Sequence, residues 1–137
     1  MGFQNPPDAT IREILASPKR IAVVGCSPDP RRDSHQIARL LIDSGHDVVP
    51  VNPGADAILG RPCYPTLADV PGEVDMVDVF RRSEHVAEIV EQAIAKQAKI
   101  VWTQLGIGDD AAAAVAEAAG LTVVMNRCVA TEYRRLF

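Results

Sequence analysis

The stretch that decides the fold runs Ile21-Ala22-Val23-Val24-Gly25-Cys26-Ser27-Pro28-Asp29-Pro30-Arg31-Arg32-Asp33-Ser34-His35. Four apolar residues bounded by Arg20 and Gly25 predict a strand buried on both faces. Two prolines, Asp29 and Ser27 then predict a loop over Gly25 to Asp33. Ser34 is the expected N-cap of a helix whose apolar face is Ile37, Ala38, Leu40, Leu41 and Ile42, closed by Gly45. The result is strand, loop, helix. A glycine leaving a strand lets backbone approach a phosphate, and the helix N-terminus offers free N–H donors and a positive dipole. Arg31 and Arg32 add charge to that loop. The same segment also reads as a plain βα connection, but its length and two arginines favour an anion.

Outward from this unit the alternation continues. Upstream, Asp8 or Thr10 is positioned to cap a short helix over Ile11 to Ala16, stopped at Ser17-Pro18. Downstream, Val48 to Val51 is a strand whose Pro50 lacks a ladder N–H, which predicts an edge or a strand end. A long loop covers Asn52 to Gly60, with a brief extended piece at Cys63-Tyr64 and one helical turn from Leu67 to Val70 after Thr66. Met76 to Phe80 is a third major strand with one acid, Asp78, inside it. Ser83 is expected to cap a long helix reaching Gln97. Ile100 to Thr103, an Ala-rich helix from Asp109 to Gly120, and Leu121 to Met125 complete the pattern. Such alternation demands parallel strands joined by right-handed crossovers. The expected architecture is a single doubly wound α/β domain over residues 1–137, with five or slightly more parallel strands and an N-terminal helical extension in residues 1–19.

Composition agrees with that architecture. Hydrophobic residues are 47% of the 137 and aromatics only 4%, so the core must be Val, Ile, Leu and Ala, the palette of buried parallel strands. A net charge of −4 and a pI near 5.3 argue against nucleic acid or an anionic membrane as the main partner. No basic region followed by an apolar run opens the chain, and the longest apolar stretches are strand-sized. Cys26, Cys63 and Cys128 are odd in number and lack zinc-type spacing, which fits reduced thiols in a cytoplasmic protein without a metal site.

In an open parallel sheet, ligands bind beyond the carboxyl ends of the strands. That rule selects Gly25 to Ser34, Asn52 to Gly54, Phe80 to Ser83, Gln104 to Gly108, and Asn126 to Cys128. A dinucleotide fingerprint needs three glycines and an acid at the end of the second strand. Here only Gly25 and Asn52 stand in those places, so NAD is not the expected ligand. Arg81 and Arg82 open a helix, where cations gain nothing from its dipole, and an anion nearby or pairing with Glu84 or Asp78 would explain them. Gln104 could hydrogen-bond an amide or a purine. Of the histidines only His35 lies near the expected cleft; His46 is at the opposite end and His85 on a helix surface. No nucleophile–base pair or paired carboxylates emerge, so no enzyme activity is expected.

Val23-Val24-Gly25-Cys26-Ser27-Pro28 with Arg31 to His35 resembles the opening loop of small bacterial CoA-binding-domain proteins, similar to the N-terminal domain of the succinyl-CoA synthetase alpha subunit. Val49-Pro50-Val51-Asn52-Pro53, Asp75 to Arg82, Gln104-Leu105-Gly106 and Met125-Asn126-Arg127-Cys128 match in order. The resemblance implies a Rossmann-like domain holding coenzyme A, or an acyl-CoA, across the strand ends. It implies that Gly25, Cys26, Ser27, Pro28 and Ser34 meet the phosphates. Asn52-Pro53 and Val79-Phe80-Arg81 would border the adenosine, and Gln104 with Gly106 the pantetheine arm. Charge balance adds Arg31, Arg32 and Arg81, because CoA carries about four negative charges. The synthetase subunit has a second domain with a phosphorylated histidine; no counterpart follows here, so ligase activity is not expected. Val129-Ala130-Thr131 departs from the family pattern, where proline and a basic residue are expected. Two alternatives stand beside a non-catalytic CoA module. One is an oxidoreductase or hydrolase using another nucleotide. The other is a thiol switch in which Cys26, its pKa lowered by helix N–H groups and arginines, forms a mixed disulfide with CoA. A protein partner, including a second copy in a homodimer, is left open.

Overall fold

The computed structural model describes residues 2–137. Its main sheet has five parallel strands: β1 (Arg20–Val24), β2 (Asp47–Val51), β5 (Met76–Val79), β6 (Ile100–Thr103) and β7 (Thr122–Val124). Between β2 and β5 lies a small antiparallel pair, β3 (Ala57–Ile58) and β4 (Arg61–Pro62). The strand order is β2-β1-β5-β6-β7, the doubly wound α/β arrangement read from the sequence. From β1 the chain moves outward to β2, then crosses back to β5 on the other side of β1. The topological switch point therefore falls between β1 and β5, where such folds place their ligands.

Period-two alternation sorts the strand side chains onto two faces. Ala22, Val24, Val49, Val51, Val77, Val79, Val101 and Val123 pack beneath α3 (Val86–Ala95) and α4 (Asp110–Ala118). Ile21, Val23, Val48, Met76, Trp102 and Val124 pack beneath α1 (Asp8–Ala16), α2 (Asp33–Asp43) and α5 (Val129–Leu136). Burial of each Val or Ile contributes about 1.5–3 kcal/mol. Helix α4 lies close to the sheet because Ala112, Ala113 and Ala116 form its inner face. Pro50 is tolerated because β2 is the edge strand; its carbonyl accepts the N–H of Tyr64, which forms a parallel bridge with Val51.

Several caps differ from expectation. Helix α1 starts after Pro7, with neither Asp8 nor Thr10 as its cap. Helix α2 starts at Asp33 after Arg32, so Ser34 lies inside it, buried. Its hydroxyl instead accepts the Ser27 N–H at 2.9 Å. Ser83 begins a 3₁₀ turn, Ser83–His85, and α3 follows at Val86. Asp109 does cap α4, accepting the Ala112 N–H at 3.0 Å. The short helix expected in the N-terminal extension is α1, whereas helix α5 and the docking of the residues before α1 have no counterpart in the sequence reading. Asn5 pins the residues before α1 to the chain just past β7 by exchanging two hydrogen bonds with the Met125 backbone, at 2.9 and 2.8 Å.

Candidate functional site

The β1–α2 loop leaves the sheet at the switch point and is fixed from three sides. Gly25 N–H donates to the Val51 carbonyl at 2.9 Å, and Phe80 N–H donates to the Val24 carbonyl at 2.8 Å. The Asn52 amide donates to the Cys26 carbonyl at 2.8 Å while its oxygen accepts the Gly54 N–H at 2.7 Å. Further out, Asp29 N–H donates to the Ser27 hydroxyl, and His35 Nδ1 stands 2.9 Å from the Ser27 carbonyl. That contact requires a proton on Nδ1, since a carbonyl only accepts. The loop is thus preorganised by its own polar groups.

Three depressions meet around it. A central one of about 430 Å³ is lined by Gly25, Ser27, Arg31, Arg32, Asp33, Ser34 and Phe80. It shares Gly25 with a smaller depression of about 220 Å³ that includes Val51, Pro53, Leu67, Arg81 and His85, so His85 borders the site rather than lying on a helix surface away from it. It shares Asp33 and Phe80 with a third, apolar one of about 450 Å³. Ile37, Leu40, Leu105, Ile107 and Ala130 supply most of that wall, with Gln104 and Cys128 as polar points. The arrangement is a crescent: a half-open niche, a cationic middle and an apolar end. Leu105 is 70% exposed at the rim of the apolar end.

The charges differ in availability. Arg31 grips Asp29 with two bonds of 3.1 and 3.0 Å, and its side chain is 89% exposed. The Arg31 guanidinium in turn holds the Asp29 carboxyl below its usual range. Arg32, Arg81 and Arg82 are exposed, and among the described residues none of the three makes an ion pair. No cluster of His, Cys, Asp and Glu suited to a metal ion occurs among the described residues.

Most of the sequence-selected residues converge here, but not all by their side chains. Gly25, Ser27, Arg31, Arg32, Ser34, Pro53, Phe80, Arg81 and Gln104 line the crescent. Val79 does not: its side chain is fully buried in the core under α3, so the expected adenosine contact cannot be made by that side chain. Gly106 does not line the crescent either. Its N–H donates to Asn126 Oδ1 at 2.6 Å, and it borders a polar cavity beneath the N-terminal segment that shares Ile107 with the apolar depression. Cys26 also departs from expectation. Its thiol is fully buried, and burial pushes its pKa up to about 12, the reverse of the activation a thiol switch needs. Sequence reasoning missed Leu40, Leu105, Ile107 and Ala130 as a wall. The α2 residues were read only as core, and the Ala130 helix was not read at all.

Other polar groups are structural. His46, buried at the opposite end of the sheet, accepts the Lys19 N–H at Nδ1 and meets the Tyr133 hydroxyl at Nε2, 3.0 Å away. Tyr133 donates onward to the Leu15 carbonyl. Trp102 lies within the core and donates its indole N–H to the Arg127 carbonyl at 2.8 Å.

Strand order and alternation together define a Rossmann-like α/β domain. The chain belongs to the CoA binding domain family, whose model matches residues 19–134. It is 40% identical over 127 residues to the uncharacterized protein YneT of Bacillus subtilis (strain 168), covering 93% of this chain and 94% of YneT. A hypothetical protein from Pyrococcus horikoshii OT3 superposes with a TM-score of 0.90 at 44% identity, over 99% of both chains. Acetate–CoA ligase [ADP-forming] II of Archaeoglobus fulgidus is 35% identical over 96 residues, which is 67% of this chain but 14% of the ligase. No helix among the described residues is long and apolar enough to cross a membrane.

Proposed function

We propose that this single domain binds coenzyme A or an acyl-CoA along the crescent, as a carrier or sensor that catalyses no reaction itself. The observation that carries the reading is that the three depressions adjoin one another at shared residues, Gly25, Asp33 and Phe80. Their order, niche to cationic loop to apolar slot, matches adenosine, phosphates and pantetheine in CoA. The adenosine would lie between Pro53 and Arg81, the phosphates over Gly25 to Pro28 with Ser34 beneath, and the pantetheine arm against Gln104 and Leu105. Arg32 and Arg81, free of carboxylate partners, suit a polyanion in a chain of net charge −4. Reduced thiols fit a cytoplasmic setting.

A nucleotide-dependent enzyme is the weaker reading. His35 is committed to the Ser27 carbonyl, and a general base must reach the proton it abstracts. Isothermal titration of the purified chain with CoA, NAD and ATP in parallel decides. Heat from CoA alone is expected. Heat from NAD or ATP without CoA would mean that the fold had been kept and the ligand changed.

A further inference from the structure

Asp78 sits in β5, the central strand, wholly buried between Val23 of β1 and Trp102 of β6. Its Oδ1 accepts one hydrogen bond, from Gln104 Nε2 at 2.6 Å, and its Oδ2 has no partner. A buried carboxylate with a single neutral donor and no cation is costly, so such a group persists as the neutral acid and calls for a role. Gln104 shows what that role is. Its Oε1 accepts the N–H of Val129, the first residue of α5, at 3.4 Å. An amide oxygen must face that N–H, so the nitrogen must face Asp78, and the amide cannot flip. One N–H of Gln104 is then spent on Asp78. The other belongs to a residue that lines the apolar depression, beside Cys128 and Ala130.

We propose that Asp78 is a positioning residue: as the neutral acid it locks the Gln104 amide, so that Gln104 offers its second N–H to an amide or thioester carbonyl of the ligand. This rests on a CoA-type ligand occupying the apolar depression. The pantetheine arm and an acyl thioester both carry such carbonyls, and in an apolar slot a single oriented donor fixes register. An ionised Asp78 would leave a lone negative charge behind that donor, near an anionic ligand. Affinity therefore falls as Asp78 loses its proton.

Other titratable groups come from the elements packed on this face of the sheet. From the β1–α2 loop comes the Cys26 thiol, itself held protonated by burial. Helix α2 brings Asp33, which is exposed, and His35, bonded to the Ser27 carbonyl. Helix α5 brings Glu132, engaged by Arg127 at 3.3 Å and Arg135 at 2.7 Å. Burial raises the Asp78 pKa to about 7.

Two readouts on the full chain test this. In the ligand-free protein labelled with ¹⁵N, the Gln104 side-chain amide signals should titrate with a midpoint near 7, and Asp78→Asn should abolish the transition. In CoA titrations, Asp78→Val should weaken binding about tenfold while leaving thermal stability close to that of the wild type, since loss of the unpartnered Oδ2 offsets the Gln104 N–H left without its acceptor. Asp78→Asn, which keeps the acceptor, should restore affinity to within about threefold and flatten its pH profile. A purely structural role would lower stability and affinity together. If the wild type takes up CoA and Asp78→Val does so equally, this proposal alone is overturned. If the wild type takes up none, the reading of the site falls and this one with it. Gln104 signals that ignore pH also overturn it.

Discussion

Gly25 passes so close beneath Phe80 that a Cβ on it would stand 2.6 Å from the Phe80 carbonyl oxygen. That oxygen is backbone and cannot swing aside. Gly25 also holds φ at +86°, in the left-handed region. Both facts come from one requirement: β1 must turn out of the sheet where β5 ends beside it. Gly25→Ala should therefore destabilise the chain by about 2–4 kcal/mol and abolish CoA binding. Gly106→Ala is the control. Its φ is +84° but nothing lies within 4 Å of its would-be Cβ, so only about 1 kcal/mol should be lost. Urea midpoints of the two variants measure the difference, and equal losses would mean that φ, not proximity, sets the cost.

The arginines of the crescent should not be equivalent. Arg31 is already paired to Asp29, whereas Arg81 lies by Gly25 with its charge uncompensated among the described residues. Arg81→Glu is expected to weaken CoA binding by about tenfold or more, and Arg31→Glu by less. Raising salt should shrink both effects, since exposed charges are screened within about 10 Å at 0.1 M. Titrations at two ionic strengths check the ranking.

Stability should depend on pH through two buried groups with opposite signs. His46 is held neutral: burial lowers its pKa below the ordinary 6.5. Below about pH 6.5 the unfolded chain takes up a proton that the native one refuses, so stability is lost as pH falls. Asp78 is raised from 3.8 to about 7. Between those values the unfolded chain ionises while the native one stays protonated, so stability is lost as pH rises. Asp78→Asn should thus match the wild type near pH 4 and exceed it above pH 7 by roughly 2–4 kcal/mol. His46→Gln should flatten the acid side of the profile, although losing the bond to Tyr133 costs about 1–3 kcal/mol at every pH. Denaturant midpoints from pH 4 to 8 separate the two, and identical profiles for the wild type and Asp78→Asn would contradict a raised Asp78.

The strands were legible because their apolar runs are short, β-branched and punctuated by Gly, Pro and Asp, and because alternation with helices leaves one class of topology. The β1–α2 loop stood out because Gly25, Arg31 and Arg32 break the local pattern in one place. What stayed hidden depends on distant chain. Ser34 and Ser83 have cap chemistry, yet their hydroxyls serve the N–H groups of Ser27 and Gly108 instead. Helix α5 carries Val129, Tyr133 and Leu136 at helical spacing, a signal that was present, but its buried Glu132 is intelligible only once Arg127 and Arg135 surround it. Local pattern cannot show that Val79 points into one core while Phe80 borders the cleft beside it.

The three cysteines should separate cleanly by reactivity. Thiolate is the reacting species, so both exposure and pKa govern alkylation. Cys26 is closed off within the α2 layer, with its thiol pushed up to about 12. Cys63 and Cys128 are partly exposed, and burial raises the Cys63 thiol as well. Cys128 borders the apolar depression where the pantetheine end of CoA would lie. Iodoacetamide on the native chain at neutral pH should therefore label Cys128 first, Cys63 slowly and Cys26 only after unfolding. Bound CoA should protect Cys128 and leave Cys63 unchanged. Oxidised CoA should leave no adduct on Cys26. Mass spectrometry of digested, labelled protein reads all three outcomes at once. Native labelling of Cys26 would show that the β1–α2 loop opens, and it would return the thiol-switch reading to contention. Equal labelling of Cys128 with and without CoA would place the ligand outside the apolar end of the crescent.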